Sequence, residues 1–282
     1  MLIFKMNIKV ITILYRRILL ILSISLLCLP SASANEGNRF FIFGAGWDPA
    51  ALEVIGNYTD SNDYLGLGIW KRIARTADKT IDRVPTPFFL PPSLQEIDRI
   101  LSAPCSADRR GAVVIYDPEP WDATPKEERD NIYKSIAEAG RRINASGCYK
   151  FGLAPSRAYL GGKGCQPSPA SDFVQNVDWS KVHVFVIQAQ GILSDNCQND
   201  NILNYSSFVN TLAKSIKSIN PVTKVVAELS LSHSDAKEAS MAIAATRNNV
   251  DGFYLAYPSP QKKICYYCNE FELNKIISFI KK

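Results

Sequence analysis

Histidine is scarce in this chain of 282 residues, which contains only His183 and His233. Imidazole is the commonest side-chain ligand of catalytic metals, so this scarcity disfavours a metal enzyme. The sequence also lacks the Gly-x-Ser-x-Gly turn of serine hydrolases and the glycine-rich turns that bind nucleotides. We therefore expect neither a metal nor a cofactor. His183 lies inside an apolar run and is interpreted as structural, whereas His233 follows a predicted strand and is a weaker site candidate.

Long apolar runs are missing from residue 35 onward, and the one near the start has the character of a targeting segment. Residues 1–34 carry four basic side chains and no acidic one, then the apolar run Ile18 to Leu29, then Ala32-Ser33-Ala34. A basic head, a short apolar core and an Ala-x-Ala site are typical of a secretory signal peptide. We predict cleavage after Ala34. The alternative is an uncleaved membrane anchor, which normally needs about 20 apolar residues.

Strong net charge is also absent once this leader is set aside. Subtracting its four basic residues from the 32 in the chain leaves 28, against 27 acidic residues. The basic balance of the full sequence therefore predicts no nucleic-acid partner. Residues 35–282 have the usual size of one α/β barrel of roughly 250 residues. We expect a single domain, monomeric, outside the cytoplasm and not bound to a membrane after cleavage.

The cysteines agree with an exported protein. Six remain beyond the predicted leader, and an even number in such a chain indicates disulfides, here three. The pair Cys265-Tyr-Tyr-Cys268 could also suggest a redox or zinc site, but zinc would need two further ligands nearby, so we favour a structural bridge. The six residues are Cys105, Cys148, Cys165, Cys197, Cys265 and Cys268.

Apolar runs alternate with helical stretches along the chain, which predicts a parallel sheet covered by helices. Up to eight strands can be counted if two in a proline-rich region are real, so we predict a (β/α)8 barrel, with an open doubly wound sheet as the alternative. The predicted helices include Ser93–Leu101, Thr124–Ile143 (with Thr124 as N-cap) and Ser207–Ile219. The predicted strands are Phe40–Ala45, Leu65–Trp70 and Thr86–Leu90 (the two in the proline-rich region), a strand starting after Gly111, Phe151–Ala154, Val182–Ile187, Lys224–Ser232 and Gly252–Ala256.

The stretch from Gly111 to Trp121 organises the functional prediction. It is an apolar, β-branched run that ends in acids, prolines and an indole. Side chains on a strand alternate between faces, so Asp117 and Glu119 point the same way as the apolar residues that fill the core. Active sites of α/β barrels lie at the carboxyl ends of the strands. Glu119 is the predicted general acid, since the charge of Asp117 would raise its pKa.

Other polar and aromatic side chains stand at the ends of predicted strands. Glu228 lies on the core-facing side of its strand and is the second carboxylate that a glycosidase would need. The alternatives are structural: Asp117 capping a turn, an ion pair between Glu228 and Arg157, glutamines satisfying loop backbone, and aromatic residues that simply pack. The residues predicted to bind substrate are Trp47, Asp48, Trp121, Arg157, Gln188, Gln190, Tyr254 and Tyr257.

Several of these segments resemble a family of uncharacterised exported bacterial proteins. The shared segments are Tyr116-Asp-Pro-Glu119 with Trp121, then Ala154-Pro155, Ile187-Gln-Ala-Gln190 and Val250-Asp-Gly-Phe-Tyr254, in the same order. The resemblance implies export and a barrel-like fold, and it carries no activity.

A second resemblance is to chitinase-like glycoside hydrolases of family 18, whose acid strand is followed by strands ending in Ala-Pro and in Gln-x-Tyr. Asp117-Pro-Glu119, Ala154-Pro155 and Gln188-Ala-Gln190 fall in that order, but Ala112 and Ile115 stand where two further family aspartates belong. The positions of Glu119 and Glu228 also resemble the large clan of retaining barrel glycosidases, which place acid and nucleophile after strands four and seven. That clan has Asn before the acid, where this chain has Pro118.

Three functions follow from these patterns. The first is a glycoside hydrolase acting on an extracellular or cell-wall glycan. The second is a degenerate barrel that binds carbohydrate without cleaving it. The third is a hydrolase of another class on the same scaffold, because a fold does not determine a function.

Overall fold

Eight parallel strands close into a barrel in the computed structural model, which describes residues 39–43, 49–67, 69–71, 85–162, 167–194, 200–256 and 269–282. Each strand pairs with the next in the chain, and the last pairs with the first. Closure confirms the predicted (β/α)8 barrel and rules out the open sheet. The strands are β1 Arg39–Phe43, β2 Tyr64–Gly66, β3 Thr86–Phe89, β4 Val113–Tyr116, β5 Lys150–Leu153, β6 Val184–Ile187, β7 Lys224–Ser230 and β8 Gly252–Ala256.

Helices connect the strands and cover the barrel. Several begin at a side-chain cap: the Ser93 hydroxyl accepts the Glu96 amide, and the Asp235 carboxylate accepts the Glu238 amide. Such caps satisfy amide groups that the helix leaves unpaired. The described α-helices are α1 Pro49–Tyr58, α2 Leu94–Leu101, α3 Lys126–Asp130, α4 Ile132–Ala145, α5 Ser171–Asn176, α6 Asn201–Ile219, α7 Ala236–Thr246 and α8 Glu270–Ile280. Short 3₁₀ turns span Trp179–Lys181 and Gln190–Ser194.

The apolar core has two layers because strand side chains alternate between faces. The outward-facing residues of the strands, such as Val114 and Tyr116 of β4, pack with the helices in a large cluster. Each large side chain buried there contributes about 1.5–3 kcal/mol relative to exposure. The inward-facing residues fill the barrel itself: Tyr64, Phe88, Val113, Ile115, Ala154, Val184, Val186, Val226 and Tyr254.

Gly152 on β5 shows how tightly the barrel interior is filled. A Cβ atom at this position would lie 2.8 Å from Cγ1 of Ile115 and 3.0 Å from Cγ1 of Val113. The neighbouring β4 side chains therefore occupy the space that a β5 side chain would need. The interior is packed solid at this level, which leaves the open end above it as the place for a site.

Three local predictions are corrected by the structure. The predicted strand Leu65–Trp70 is only three residues long, and helical turns follow it. The predicted helix Thr124–Ile143 is two helices, α3 and α4, separated at Asn131, whose backbone leaves the helical region at φ −125° and ψ 47°. Thr124 is not the N-cap, because its hydroxyl is used in a contact with a distant loop.

One of the predicted disulfides is present among the described residues, between Cys105 and Cys148, which are 43 positions apart. It joins the segment after α2 to the start of β5. Cys165, Cys197, Cys265 and Cys268 lie outside the described residues. So does the predicted leader, while residues 37–282 form one compact unit. None of the described helices combines the length and apolar character that crossing a membrane requires.

Candidate active site

Three carboxyl groups meet at the carboxyl end of the barrel. Asp117 and Glu119 follow β4 and are partly buried, and Glu228 lies on β7 with 7 % of its surface exposed. Glu228 interacts electrostatically with both of the others. The structure therefore brings together the three residues that the sequence nominated as catalytic, although 109 positions separate Glu119 from Glu228 along the chain. They are called the mouth acids below.

Gln188, at the end of β6, links this cluster to the sheet. Its side-chain nitrogen donates to Oδ1 of Asp117 at 2.6 Å and to the carbonyl of Ala154 at 2.8 Å. The second bond orients the amide, and the first holds the Asp117 carboxyl group in place. Gln188 therefore contacts a mouth acid directly, in addition to a backbone carbonyl group.

Burial raises the pKa of every mouth acid, because removing a carboxylate from water disfavours its charged form. The pKa of Asp117 rises to about 8 through desolvation and then the charge of Glu119, against the bond from Gln188. The pKa of Glu119 rises to about 7 through desolvation, with the polar side chains of Ser156 and Gln188 opposing it. Desolvation and the charges of the other two raise the pKa of Glu228 well above its usual range. Protons are therefore held in the site at neutral pH.

Tyr254 forms the floor beneath these acids. It pairs with Glu228 across β7 and β8, only 4 % of its surface is exposed, and its ring packs against Phe88 with centroids 5.9 Å apart. Its pKa is raised well above the usual range by burial and by the charges of Glu228 and Asp117. We predicted Tyr254 as a sugar-stacking residue at the rim. The structure places it inside the barrel, where its ring faces are covered.

The loop that carries Asp117 and Glu119 is held by backbone contacts that sequence reasoning missed. The Thr124 hydroxyl accepts the Glu119 amide at 2.8 Å and donates to the Pro92 carbonyl at 2.8 Å, and the Thr124 side chain is fully buried. The amide of Asp117 donates to the Pro91 carbonyl at 2.9 Å. These hydrogen bonds attach the backbone of both acids to the segment after β3. The loop that carries the acids is therefore held in a fixed position.

Glu128 is a fourth acid near β4, with a structural role. Its carboxylate accepts the Leu94 amide at 3.0 Å and the Tyr116 hydroxyl at 2.8 Å, and it is buried. It joins α2 to the end of β4, directly before Asp117. The pKa of Tyr116 rises beyond its ordinary range through burial and this bond.

The remaining predicted binding residues fall into separate environments. Trp121 is 55 % exposed on the loop after Glu119. Arg157 packs its side chain against Gly162 and Gly191, and among the described residues it forms no ion pair with Glu228. Gln190 begins a 3₁₀ turn, and its Oε1 is buried without a hydrogen-bond partner in the described part of the chain. Trp47, Asp48 and Tyr257 lie outside the described residues.

The two histidines have different surroundings. Nδ1 of His233 lies 2.8 Å from the Ser194 hydroxyl, which ties the loop after β7 to the turn after β6. His183 precedes β6, and its amide donates to the Phe151 carbonyl. Within the described ranges, no group of three or more His, Cys, Asp or Glu side chains has the arrangement to hold a metal ion.

Grooves on the outer face of the barrel are distinct from this site. One of about 380 Å³ lies between α4 and the segment around Asp178, with Tyr133 and Phe151 in its lining. Another of about 400 Å³ lies between α2 and α4. Neither contains a mouth acid, so the candidate site rests on the side chains at the strand ends.

No protein-family model matches this sequence, and no curated protein does. Solved structures match in backbone. The YdjI aldolase from Escherichia coli K12 has a TM-score of 0.44 and 11% identity, with 86% of each chain covered. A GH5-4 broad specificity endoglucanase from Clostridium acetobutylicum has a TM-score of 0.49 and 10% identity, covering 86% of this chain and 97% of its own. Flavocytochrome b2 has a TM-score of 0.39 and 13% identity, covering 87% of this chain and 62% of its own.

Proposed function

We propose that this protein is a glycoside hydrolase that cleaves an extracellular or cell-wall glycan at the mouth acids. The observation that carries the proposal is the convergence of Glu119, after β4, and Glu228, on β7, in one barrel mouth. Hydrolysis of a glycosidic bond generally uses two carboxyl groups that flank the bond. One protonates the leaving oxygen, and the other attacks the anomeric carbon or activates a water molecule.

Glu119 is assigned as the general acid. A pKa of about 7 means that its carboxyl group carries a proton in a large fraction of molecules at neutral pH. Such a value lets one group donate a proton to the departing oxygen and afterwards accept one from water. As the carbon–oxygen bond breaks, positive charge develops on the sugar ring. The second carboxylate is Glu228 or Asp117 in the form that has released its proton to solvent before the bond breaks, and its negative charge stabilises the positive charge on the ring.

A second candidate function is glycan binding without cleavage, and the burial of Glu228 favours it. The raised pKa of Glu228 keeps its carboxyl group neutral in the free protein. A neutral carboxylic acid donates a hydrogen bond and is a poor nucleophile. Together with the exposed ring of Trp121, such a group would suit a surface that holds a sugar.

The substitution Glu119→Gln separates the two functions. It keeps the shape of the side chain and removes its transferable proton. Loss of a general acid typically costs about 10²–10⁴-fold in turnover, and we expect a loss of that size on natural glycans. Aryl glycosides with activated leaving groups need little protonation, so they should lose less. Glu127→Gln is the matched control, because Glu127 is exposed on α3 a few residues away.

The opposite result would identify a binding protein. A purified chain that cleaves none of a broad glycan panel, binds chitin or peptidoglycan fragments, and is indifferent to Glu119→Gln contradicts the hydrolase proposal. In that case Trp121→Ala should weaken binding, since the indole supplies the exposed stacking surface.

We also propose that the protein is exported. The leader-like residues 1–34 and the Cys105–Cys148 disulfide support this proposal, since disulfides persist mainly in oxidising compartments. Intact-mass measurement of protein recovered outside the cytoplasm should show a chain beginning at Asn35. A chain that retains residues 1–34 would contradict the predicted cleavage.

A further inference from the structure

The hydrogen bonding between β4 and β5 continues beyond the ends of the two strands. Within the strands, Tyr116 stands opposite Leu153. Three residues further along each segment, the Ser156 amide donates to the Pro118 carbonyl at 3.1 Å, which keeps the parallel pattern in place. The same register therefore sets Ser156 directly beside Glu119.

The Ser156 side chain faces the barrel interior, because side chains alternate along an extended segment. Ala154, two residues earlier, is one of the residues that fill this interior, and Ser156 is only 7 % exposed. The Ser156 hydroxyl oxygen accepts the Ala158 amide at 3.4 Å, so the turn after β5 restrains the hydroxyl group. The side chains of Ser156 and Glu119 therefore meet on the same face of two adjacent segments.

This neighbourhood affects the proton on Glu119. Desolvation raises the pKa of Glu119 to about 7, and a hydrogen bond from the Ser156 side chain opposes the rise, since it favours the ionised carboxylate. The bond is therefore one of the contacts that set the pH at which Glu119 loses its proton.

A hydroxyl group can both donate and accept a hydrogen bond, whereas an amide nitrogen such as that of Gln188 only donates. A general acid gives up its proton and later recovers one, so its carboxyl group must keep its place in both forms. The Ser156 hydroxyl can donate to the ionised carboxylate and accept from the protonated acid. Rotation of a single O–H bond is enough to change between the two arrangements.

We propose that Ser156 is a positioning residue for Glu119, whose carboxyl group it holds in one orientation in both protonation states. Ser156 acts through Glu119 and is not assigned a contact with substrate. The role of Glu119 as general acid rests on the proposed function, but the contact between the two side chains does not.

The test is a titration of the Glu119 carboxyl group by ¹³C NMR, with the signal assigned by its loss in Glu119→Gln. In Ser156→Ala the ionised carboxylate loses a donor, so we expect the pKa of Glu119 to rise by about one pH unit from its value of about 7. Ser156→Thr retains the hydroxyl group and should restore the original value.

Ser206→Ala is the matched control. Ser206 is also buried, but its hydroxyl donates to the Leu203 carbonyl within α6, so its loss should leave the titration of Glu119 unchanged. The titratable groups that interact electrostatically with Glu119 are Asp117 on its own loop, Tyr159 after β5 and Glu228 on β7. These groups, and Arg157 next to Ser156 in the chain, are the same in every variant.

A second measurement uses the unsubstituted protein and does not depend on the folding of a variant. Crystal structures at pH 5 and pH 9 should both show the Ser156 hydroxyl within about 3 Å of the same Glu119 oxygen. A separation above about 3.5 Å at either pH would overturn the proposal. So would a pKa of Glu119 that stays constant or falls in Ser156→Ala, or one that rises equally in Ser206→Ala.

For a glycan that the unsubstituted chain cleaves, kcat should fall about tenfold or more in Ser156→Ala with little change in KM, since small displacements of a catalytic group are costly. An unchanged kcat would show that the contact does not position the acid. The titration and the crystal structures need no substrate, so they give their result even if the chain cleaves no glycan and the hydrolase proposal fails.

Discussion

The buried charge of Asp117 predicts that removing it stabilises the fold. Desolvation, together with the charge of Glu119, raises the pKa of Asp117 from 3.8 to about 8. The folded protein therefore holds a proton that the unfolded chain releases as pH rises above 4. A group of this kind makes stability fall as pH rises, over the window from its unfolded pKa to its folded pKa. Asp117→Asn keeps the shape, and its Oδ1 still accepts the proton of Gln188.

The size of the effect follows from the same shift. One pKa unit corresponds to about 1.4 kcal/mol, and about three of the four units fall between pH 5 and pH 8. With an allowance for the coupling of Asp117 to Glu119, the stability advantage of Asp117→Asn should grow by about 2–4 kcal/mol across that range. Activity should fall in the same variant, since stability and function conflict at a site of buried acids.

Urea unfolding of both proteins at pH 5 and pH 8 measures this change in the free energy of unfolding. Asp122→Asn is the control, because Asp122 lies on the same loop with a fully exposed side chain. Its stability difference from the unsubstituted protein should not grow with pH. If the Asp117→Asn difference is also constant between the two pH values, then Asp117 is ionised in the folded state and the electrostatic description of the mouth is wrong.

Three further predictions concern the mouth and the barrel beneath it. The acid pair on the β4 loop has pKa values of about 7 and 8. We therefore expect kcat/KM to fall above about pH 8, where the proton donor is lost, and below about pH 7, where the second carboxylate is protonated. A pH–rate profile that is flat from pH 6 to 9 would contradict this. Thr124→Val removes the hydroxyl that holds the Glu119 amide, so kcat should drop while Thr124→Ser retains most of it; equal kcat in the two variants would show that the contact is unimportant. Gly152→Ala should lower the free energy of unfolding by about 1–3 kcal/mol, because the new Cβ atom would lie 2.8 Å from Cγ1 of Ile115. Gly56→Ala on α1 adds its Cβ atom in open space and should be neutral or stabilising. Thermal denaturation measures both variants, and equal effects would refute the packing argument.

The sequence determined the architecture of this protein, since the signals for it are local. Along Lys224–Ser230, apolar residues that face the helices alternate with Val226 and Glu228, which face the barrel interior. The strand β8 has the predicted bounds Gly252–Ala256. The same alternation, continued past the end of β4, predicted that the Asp117 and Glu119 side chains point toward the barrel interior. A period of two residues is visible in the sequence, so strands and the faces of their side chains can be predicted from it.

Contacts between distant segments could not be predicted in this way. Thr124 has the composition of a helix cap, but its hydroxyl binds Pro92, 32 positions earlier, because the barrel brings the ends of β3 and β4 side by side. Gln188 reaches Asp117 across 71 positions for the same reason. The pKa values also depend on closure, since they arise from desolvation and from charges on β4 and β7 that meet only when eight strands form a ring. The sequence thus determined which side chains stand at strand ends, and only the tertiary structure decided which of them share a site.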